Sequence, residues 1–426
     1  MRAIENVAVI GGNGTMGSLS GGLFAQAGIH CIFFAPSVRD AQGGIENAVR
    51  QARSDAIREY IRPESFDALE PLLPKCNWVL EAVSEDLALK QSFNRRVDLS
   101  RKRGSIVSSM SSGLSIEDLA AGCSDDFRAH FMGVHFFNPP GSLLACELTA
   151  HPDNDEGVKA LVYDFCERVL RRVNIVTNNC PAFAGNRIGF QFLNEAALYA
   201  EEHGVETVDY LLGPFTGRAI PPLATIDHVG LDVHRAIVDN IYRNSNDERH
   251  ESFRIPGYVQ RMIDGGMLGR KSGSDGGFYR YNEKKHRLAI DPSTLEHGKL
   301  KGCSIEVVER IKRHIHDGEY RSAVSLIQTD DSEPMRIVRR FIAGYIAYSY
   351  SRIGEVTPEE HGIHGIDRVM AHGFSWFPPS AWVDVLGGPG ETARFLEQSG
   401  YTPPGQLSGH GRQCRIPEVY RYLIAY

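Results

Sequence analysis

The first 180 residues alternate short apolar runs with amphipathic stretches. Val7–Ile10, Cys31–Phe34, Trp78–Glu81, Ser105–Ser108 and Met132–Phe136 read as strands, with helix-like segments such as Ile45–Tyr60 and Leu87–Arg101 between them. This alternation predicts a doubly wound α/β domain with a mostly parallel sheet. After Cys180 the pattern changes. Ile188, Phe192, Ala196, Ala197 and Ala200 recur at helical spacing, and no strong strand follows until Gly-Gly-Phe-Tyr-Arg-Tyr at 276–281. A mainly helical domain is expected there.

Residues 282–320 are rich in charge and read as a solvated connector with one surface helix. Beyond it, Ile337–Gly388 is a faint copy of Asn186–Asp232. Pro221-Pro222 through Asp227 and Gly230 is echoed by Pro378-Pro379 through Asp384 and Gly387. A period this long indicates one duplicated helical domain rather than a solenoid. The expected organisation is residues 1–180, a helical domain at 181–282, a linker at 283–335 and a degenerate helical repeat at 336–426.

Composition narrows the class. With 426 residues, 42% hydrophobic and 23% charged, the chain has enough apolar surface for two to four folded domains. Its net charge of −7 lacks the basic excess of a general nucleic-acid binder. No membrane span or secretory signal is evident, and a cytoplasmic protein is expected. The eight cysteines are scattered without a C-x-x-C pair, so neither a metal site nor a disulfide framework is signalled.

The first candidate chemistry is Gly11-Gly12-Asn13-Gly14-Thr15-Met16-Gly17, directly after the first strand. Gly12, Gly14 and Gly17 have the G-x-G-x-x-G spacing of a turn that lets a dinucleotide pyrophosphate approach a helix N-terminus, here at Thr15 and Met16. At the end of the second strand, where an acid usually holds the adenosine ribose, stand Ala35-Pro36-Ser37-Val38-Arg39. Without that acid, and with Ser37 and Arg39 available to a 2′-phosphate, the reading favours NADP over NAD.

The second cluster is Glu81 to Lys90, Ser108-Ser109-Met110-Ser111-Ser112-Gly113, His135-Phe136-Phe137-Asn138-Pro139 with Glu147 twelve residues after the histidine, Gly185-Asn186-Arg187, and Gly269-Arg270-Lys271-Ser272-Gly273. In this order the chain resembles the L-3-hydroxyacyl-CoA dehydrogenase family, particularly the dehydrogenase part of multifunctional fatty-acid oxidation enzymes. The resemblance implies an N-terminal Rossmann-type doubly wound domain followed by two mainly helical 6-phosphogluconate-dehydrogenase-like domains. It implies His135 as the base for the hydroxyl proton, a role that suits imidazole, with Glu147 orienting the ring. Ser112 and Asn186 would hydrogen-bond the reacting oxygen or the thioester carbonyl. Asn138 would contact the nicotinamide or support His135; Glu85 and Lys90 would line the nicotinamide ribose, and Lys271 would contact the cofactor.

The implied substrate is an acyl thioester of CoA, or of acyl-carrier protein, with Arg50, Arg53 and Arg58 as candidate partners for the CoA phosphates. A dehydrogenase of a free hydroxy acid and a catalytically silent nucleotide-binding protein are the alternatives. The second repeat is expected to cover the face that single-repeat relatives use to dimerise, which allows a monomer.

Overall fold

The computed structural model describes residues 4–273, 276–409 and 414–425. The chain divides into two compact units, meeting in sequence between Phe183 and Ala184.

The first unit is built on eight strands: β1 (Asn6–Ile10), β2 (His30–Ala35), β3 (Ile61–Ser65), β4 (Trp78–Glu81), β5 (Ile106–Ser109), β6 (Phe131–Phe136), β7 (Ala145–Ala150) and β8 (Val173–Val176). They lie in the order β3-β2-β1-β4-β5-β6-β7-β8. Every neighbouring pair is parallel except β6 and β7. The order reverses between β1 and β4, the position where doubly wound sheets bind ligands beyond the carboxyl ends of their strands.

Successive side chains that point to opposite faces explain why the apolar run of β1 sits inside the sheet. Val7 and Val9 join an apolar cluster with Phe24, Trp78 and Phe165, while Ala8 and Ile10 join another with Val79, Phe93 and Val107, so both faces of the strand are buried. The expected strands are all present within a residue or two, but β3, β7 and β8 were not anticipated. Their sequences, such as Ile-Arg-Pro-Glu-Ser in β3, mix apolar and polar residues too briefly to show a period. The helix expected over 45–60 instead runs Val38–Ala52 and ends at Arg53, which takes a left-handed conformation (φ 51°) before a short 3₁₀ turn, Asp55–Tyr60.

The second unit is mainly helical. Helix Gly185–His203 packs against Pro222–Val229, Leu231–Asn244 and Glu333–Ser351. One structural device occurs twice. Asp209 accepts hydrogen bonds from the amides of Leu223 and Ala224, just after Pro221-Pro222. Asp367 accepts from the amide and hydroxyl of Ser380, just after Pro378-Pro379. Each carboxylate satisfies amides that the start of its helix leaves without intrahelical partners.

Residues 282–320, read as a connector with one surface helix, also carry strands. Strands Arg287–Ile290 and His297–Lys299 extend a three-stranded antiparallel sheet begun by Tyr279–Tyr281, and two helices follow, Glu306–His316 and Tyr320–Thr329. Val307, Val308, Ile311 and Ile315 form a buried stripe within the charge-rich stretch, which the charges obscured in the sequence.

Candidate active site

The glycine-rich turn links β1 to the helix Thr15–Gln26, and the amides of Gly11 and Gly12 both donate to the carbonyl of Phe34. The left-handed residue is Gly11 (φ 86°), one position before the expected tight-turn glycine. A Cβ at Gly14 would meet only Gly11 O at 3.3 Å and Ala82 O at 3.9 Å, so the space above it is open. No side chain caps the helix and its first turn carries no acid. The amides around Thr15, Met16 and Gly17 therefore suit an anionic pyrophosphate, and the residues present fit a dinucleotide.

At the end of β2, Ala35 is fully buried. Ser37 caps the helix Val38–Ala52: its hydroxyl accepts from the amide of Asp40 and donates to the Asp40 carboxylate at 2.6 Å. Arg39 is exposed and makes no ion pair among the described residues. A carboxylate thus returns to this turn from Asp40, a residue not singled out in the sequence.

His135 and Glu147 face each other across the antiparallel pair β6–β7. His135 Nδ1–H donates to Glu147 Oε2 at 2.7 Å, and the carboxylate is wholly buried. The rings of Phe137, with centroid 4.9 Å away, and Phe183, at 6.2 Å, flank the imidazole. A donating Nδ1 leaves Nε2 as the lone-pair nitrogen, so the carboxylate selects the tautomer that can accept a proton. Asn138 is exposed, three residues past His135, where the peptide to Pro139 is cis.

Glu85 and Ser112 are brought together. Glu85 Oε1 accepts from the Ser111 hydroxyl at 2.6 Å and from the Ser112 amide at 2.8 Å. Lys90 is buried, and its ammonium donates to Glu81 Oε1 at 2.9 Å, Glu81 Oε2 at 3.2 Å and the Val83 carbonyl at 3.1 Å. Asn186 and Lys271 belong to the second unit. Asn186 is buried in the first turn of helix Gly185–His203, and Lys271 is half exposed and paired with Asp232. Among the described residues, no group of three or more His, Cys, Asp or Glu is gathered as metal ligands, and no helix is long and apolar enough to cross a membrane.

Sheet order and glycine turn define a Rossmann-type dinucleotide-binding fold, and its sheet carries a buried histidine–carboxylate pair. Comparison with known proteins makes this specific. Residues 6–180 match the NAD binding domain of 3-hydroxyacyl-CoA dehydrogenase, and residues 183–281 match its C-terminal domain. A probable 3-hydroxyacyl-CoA dehydrogenase of Deinococcus radiodurans is 34% identical over 292 residues, covering 65% of this chain and 83% of that protein. A probable 3-hydroxyacyl-CoA dehydrogenase of Bacillus subtilis is 34% identical over 355 residues, covering 82% of this chain but only 43% of its own length. The crystal structure of 3-hydroxybutyryl-CoA dehydrogenase from Escherichia coli K12 shares the fold, with 19% identity, TM-score 0.72 and coverage of 96% of this chain and 98% of that one. The chain belongs to the 3-hydroxyacyl-CoA dehydrogenase family.

Proposed function

We propose that the protein is a nicotinamide-dependent oxidoreductase that interconverts a 3-hydroxyacyl thioester and its 3-oxoacyl form. The observation that carries this reading is the 2.7 Å hydrogen bond from His135 to buried Glu147. In the oxidation direction, Nε2 of His135 takes the hydroxyl proton as the carbon loses hydride, and Glu147 stabilises the imidazolium that results. In reduction, the same nitrogen returns the proton. A bound nicotinamide supplies the hydride acceptor or donor. Gly12, Gly14, Thr15, Met16 and Gly17 would hold its pyrophosphate. Ser112 and Asn186 are the donors we assign to the reacting oxygen or thioester carbonyl, where preorganised dipoles act on developing charge. Asn138 and Lys271 are assigned to the nicotinamide side.

CoA as the carrier is supported by a cavity of about 500 Å³ in the first unit, lined by Arg50, Arg53, Arg172 and the Pro140–Ser142 loop. Arg50 and Arg53 make no ion pair among the described residues. Among the described residues, Arg172, 8% exposed, donates only to the backbone carbonyls of Leu170, Pro140 and Leu143, so its charge meets no carboxylate there. Three guanidiniums on one cavity suit phosphate groups. Arg58 is instead engaged by Glu46 and Asp55. Pro140 follows His135 by five residues, which limits their separation to about 17 Å.

For the cofactor, the Asp40 carboxylate held at Ser37 favours NAD, since it would repel a 2′-phosphate. NADP is the second reading, carried by exposed Arg39 and by Ala35 in place of an acid. Within the second unit, helix Glu333–Ser351 lies along Gly185–His203, and Arg187 reaches Tyr348 and Glu355. This supports a working monomer, for which gel filtration should give the mass of one chain.

The deciding experiment is an activity matrix of 3-oxoacyl-CoAs of increasing length against NADH and NADPH. Acetoacetyl-CoA should be reduced, and His135→Ala should lower kcat by about 10²–10⁴-fold. Absence of turnover with every thioester and both cofactors, while a dinucleotide still binds, would leave a silent binding protein. Higher kcat/KM on an acyl-carrier-protein thioester would move the carrier, and turnover of free hydroxy acids alone would move the substrate class.

A further inference from the structure

The dinucleotide turn is held from three sides, and one of them lies outside its own motif. A Cβ at Gly17 would fall 2.2 Å from the Gly11 carbonyl oxygen, and one at Gly12 would fall 2.7 Å from Phe33 Cβ. The helix Thr15–Gln26 and strand β2 thus press on the turn at glycines of the motif. The third side is the helix Val38–Ala52. Gly44, buried in its middle, would place a Cβ 2.0 Å from the Gly12 carbonyl oxygen, 2.9 Å from its carbon and 3.0 Å from Asn13 Cα. These are backbone atoms, so only a bare Cα lets the turn lie there. The neighbouring Gly43 is exposed, and a Cβ on it would meet nothing within 4 Å. Glycine in a helix interior is unfavourable relative to alanine, and close backbone approach accounts for it at 44 but not at 43. One helical turn further along the same face, Asn47 Nδ2 donates to Ser18 Oγ at 2.7 Å, and that hydroxyl donates to the Thr15 carbonyl at 3.0 Å.

We infer that Gly44 and Asn47 are positioning residues for the pyrophosphate of the dinucleotide, acting from a helix that the glycine motif does not include. The inference rests on the proposed nicotinamide-dependent reaction. Gly44 supplies the seat for the Gly12 carbonyl. The peptide unit joining Gly12 to Asn13 is planar and trans, so seating its oxygen against Gly44 turns the Asn13 N–H to the opposite side. That amide has no backbone acceptor among the described residues. Asn47 fixes the first turn of the helix Thr15–Gln26 through Ser18. An alanine at 44 must push the Gly12 carbonyl by about 1 Å to reach ordinary contact, and the amides that follow move with it. The pyrophosphate is common to NAD and NADP, whereas Ser37 and Asp40, at the start of the same helix, face the 2′ position at which the two cofactors differ. Displacing the turn therefore weakens both cofactors alike, and disturbing the helix start does not.

The test is fluorescence titration of the full chain with NADH and with NADPH, in Gly44→Ala, Asn47→Ala, Gly43→Ala and Ile45→Ala. Gly44→Ala should raise Kd about 10–100-fold, by the same factor for both cofactors, which is the size of a lost hydrogen bond to a charged group. Asn47→Ala, which loosens only the helical turn behind Thr15, should raise both about 2–10-fold. Gly43→Ala should leave both Kd values within about 2-fold and raise the urea midpoint. Ile45→Ala removes a buried side chain of the same helix; it should lower the urea midpoint and leave both Kd values within about 2-fold, which separates softening of the helix from placement of the turn. Should Gly44→Ala fail to fold, Asn47→Ala decides. Kd values within about 2-fold of wild type in Gly44→Ala or in Asn47→Ala, a factor that differs about tenfold between the two cofactors, or equal weakening in Ile45→Ala would each overturn the inference. A wild type that binds neither cofactor would overturn the nicotinamide reading, and this inference with it. Where the wild type binds but turns over no thioester, the proposed reaction fails, and the same comparison of Kd values still decides the inference.

Discussion

Lys90 and Arg218 are cations withdrawn from water, one in each unit, and the protein keeps them by opposite means. Lys90 is met by the Glu81 carboxylate on two oxygens. Among the described residues, Arg218 meets no carboxylate. Its guanidinium lies 3.6 Å from the ring centroid of Phe192, 4.6 Å from that of Trp376 and 5.3 Å from that of Tyr345, and Nη1 donates to Thr216. Burial pulls its pKa down to about 9. A planar, weakly hydrated guanidinium can be packed between rings in this way, whereas a compact ammonium needs a countercharge. The first unit thus retains buried charge as a compensated pair, and the second uses a cation as a flat packing element.

The contrast is sharpest in single substitutions. Lys90→Met strands the Glu81 carboxylate and should cost about 3–5 kcal/mol in urea unfolding, most of it returned by adding Glu81→Leu. A loss under about 1 kcal/mol would show that Glu81 does not depend on Lys90. The same logic applies to the His135–Glu147 pair of the first unit. Glu147→Gln removes the charge that favours the imidazolium and should lower kcat on the order of 10²-fold, with little change in cofactor KM.

Arg218→Met should cost no more than about 1.5 kcal/mol, because an apolar chain keeps the packing and sheds the desolvation penalty. Arg218→Lys should be the worse of the two, since its ammonium cannot stack. The reverse order would imply a countercharge for Arg218. The gentlest probe is pH. Asp227 and Asp367 are each pushed up to about 7 by burial, against the opposing pull of their backbone hydrogen bonds. A carboxyl raised in the folded state contributes stability that is present below its unfolded pKa and lost as pH rises through its folded one. The urea midpoint of the second unit should therefore fall between about pH 4 and pH 7.5, and Asp367→Asn should flatten the fall.

Several of these features were legible in the residues. The apolar runs of β1, β4 and β6 marked strands of a mostly parallel sheet, because strands buried on both faces read as near-continuous apolar runs. His135 and Glu147 could be paired through the family resemblance, and the antiparallel turn between β6 and β7 places them opposite each other. Lys90 was legible as a residue of interest, but not its burial against Glu81. A lysine near a helix start reads as solvent-facing until Glu81 is placed beneath it. Asp40 passed unnoticed because its link to Ser37 requires the helix Val38–Ala52 to begin at Val38, earlier than the apolar spacing suggested.

The sequence by itself determined the class of fold, the dinucleotide turn and the family, because these depend on local periodicity and on residues whose steric needs hold in any context. Tertiary structure alone decided which charges are compensated. It joined Glu81 to Lys90, gathered Arg50, Arg53 and Arg172 around one cavity, and enclosed Arg218 among rings. The fate of a charge depends on the dielectric and partners around it, and segments distant along the chain supply both.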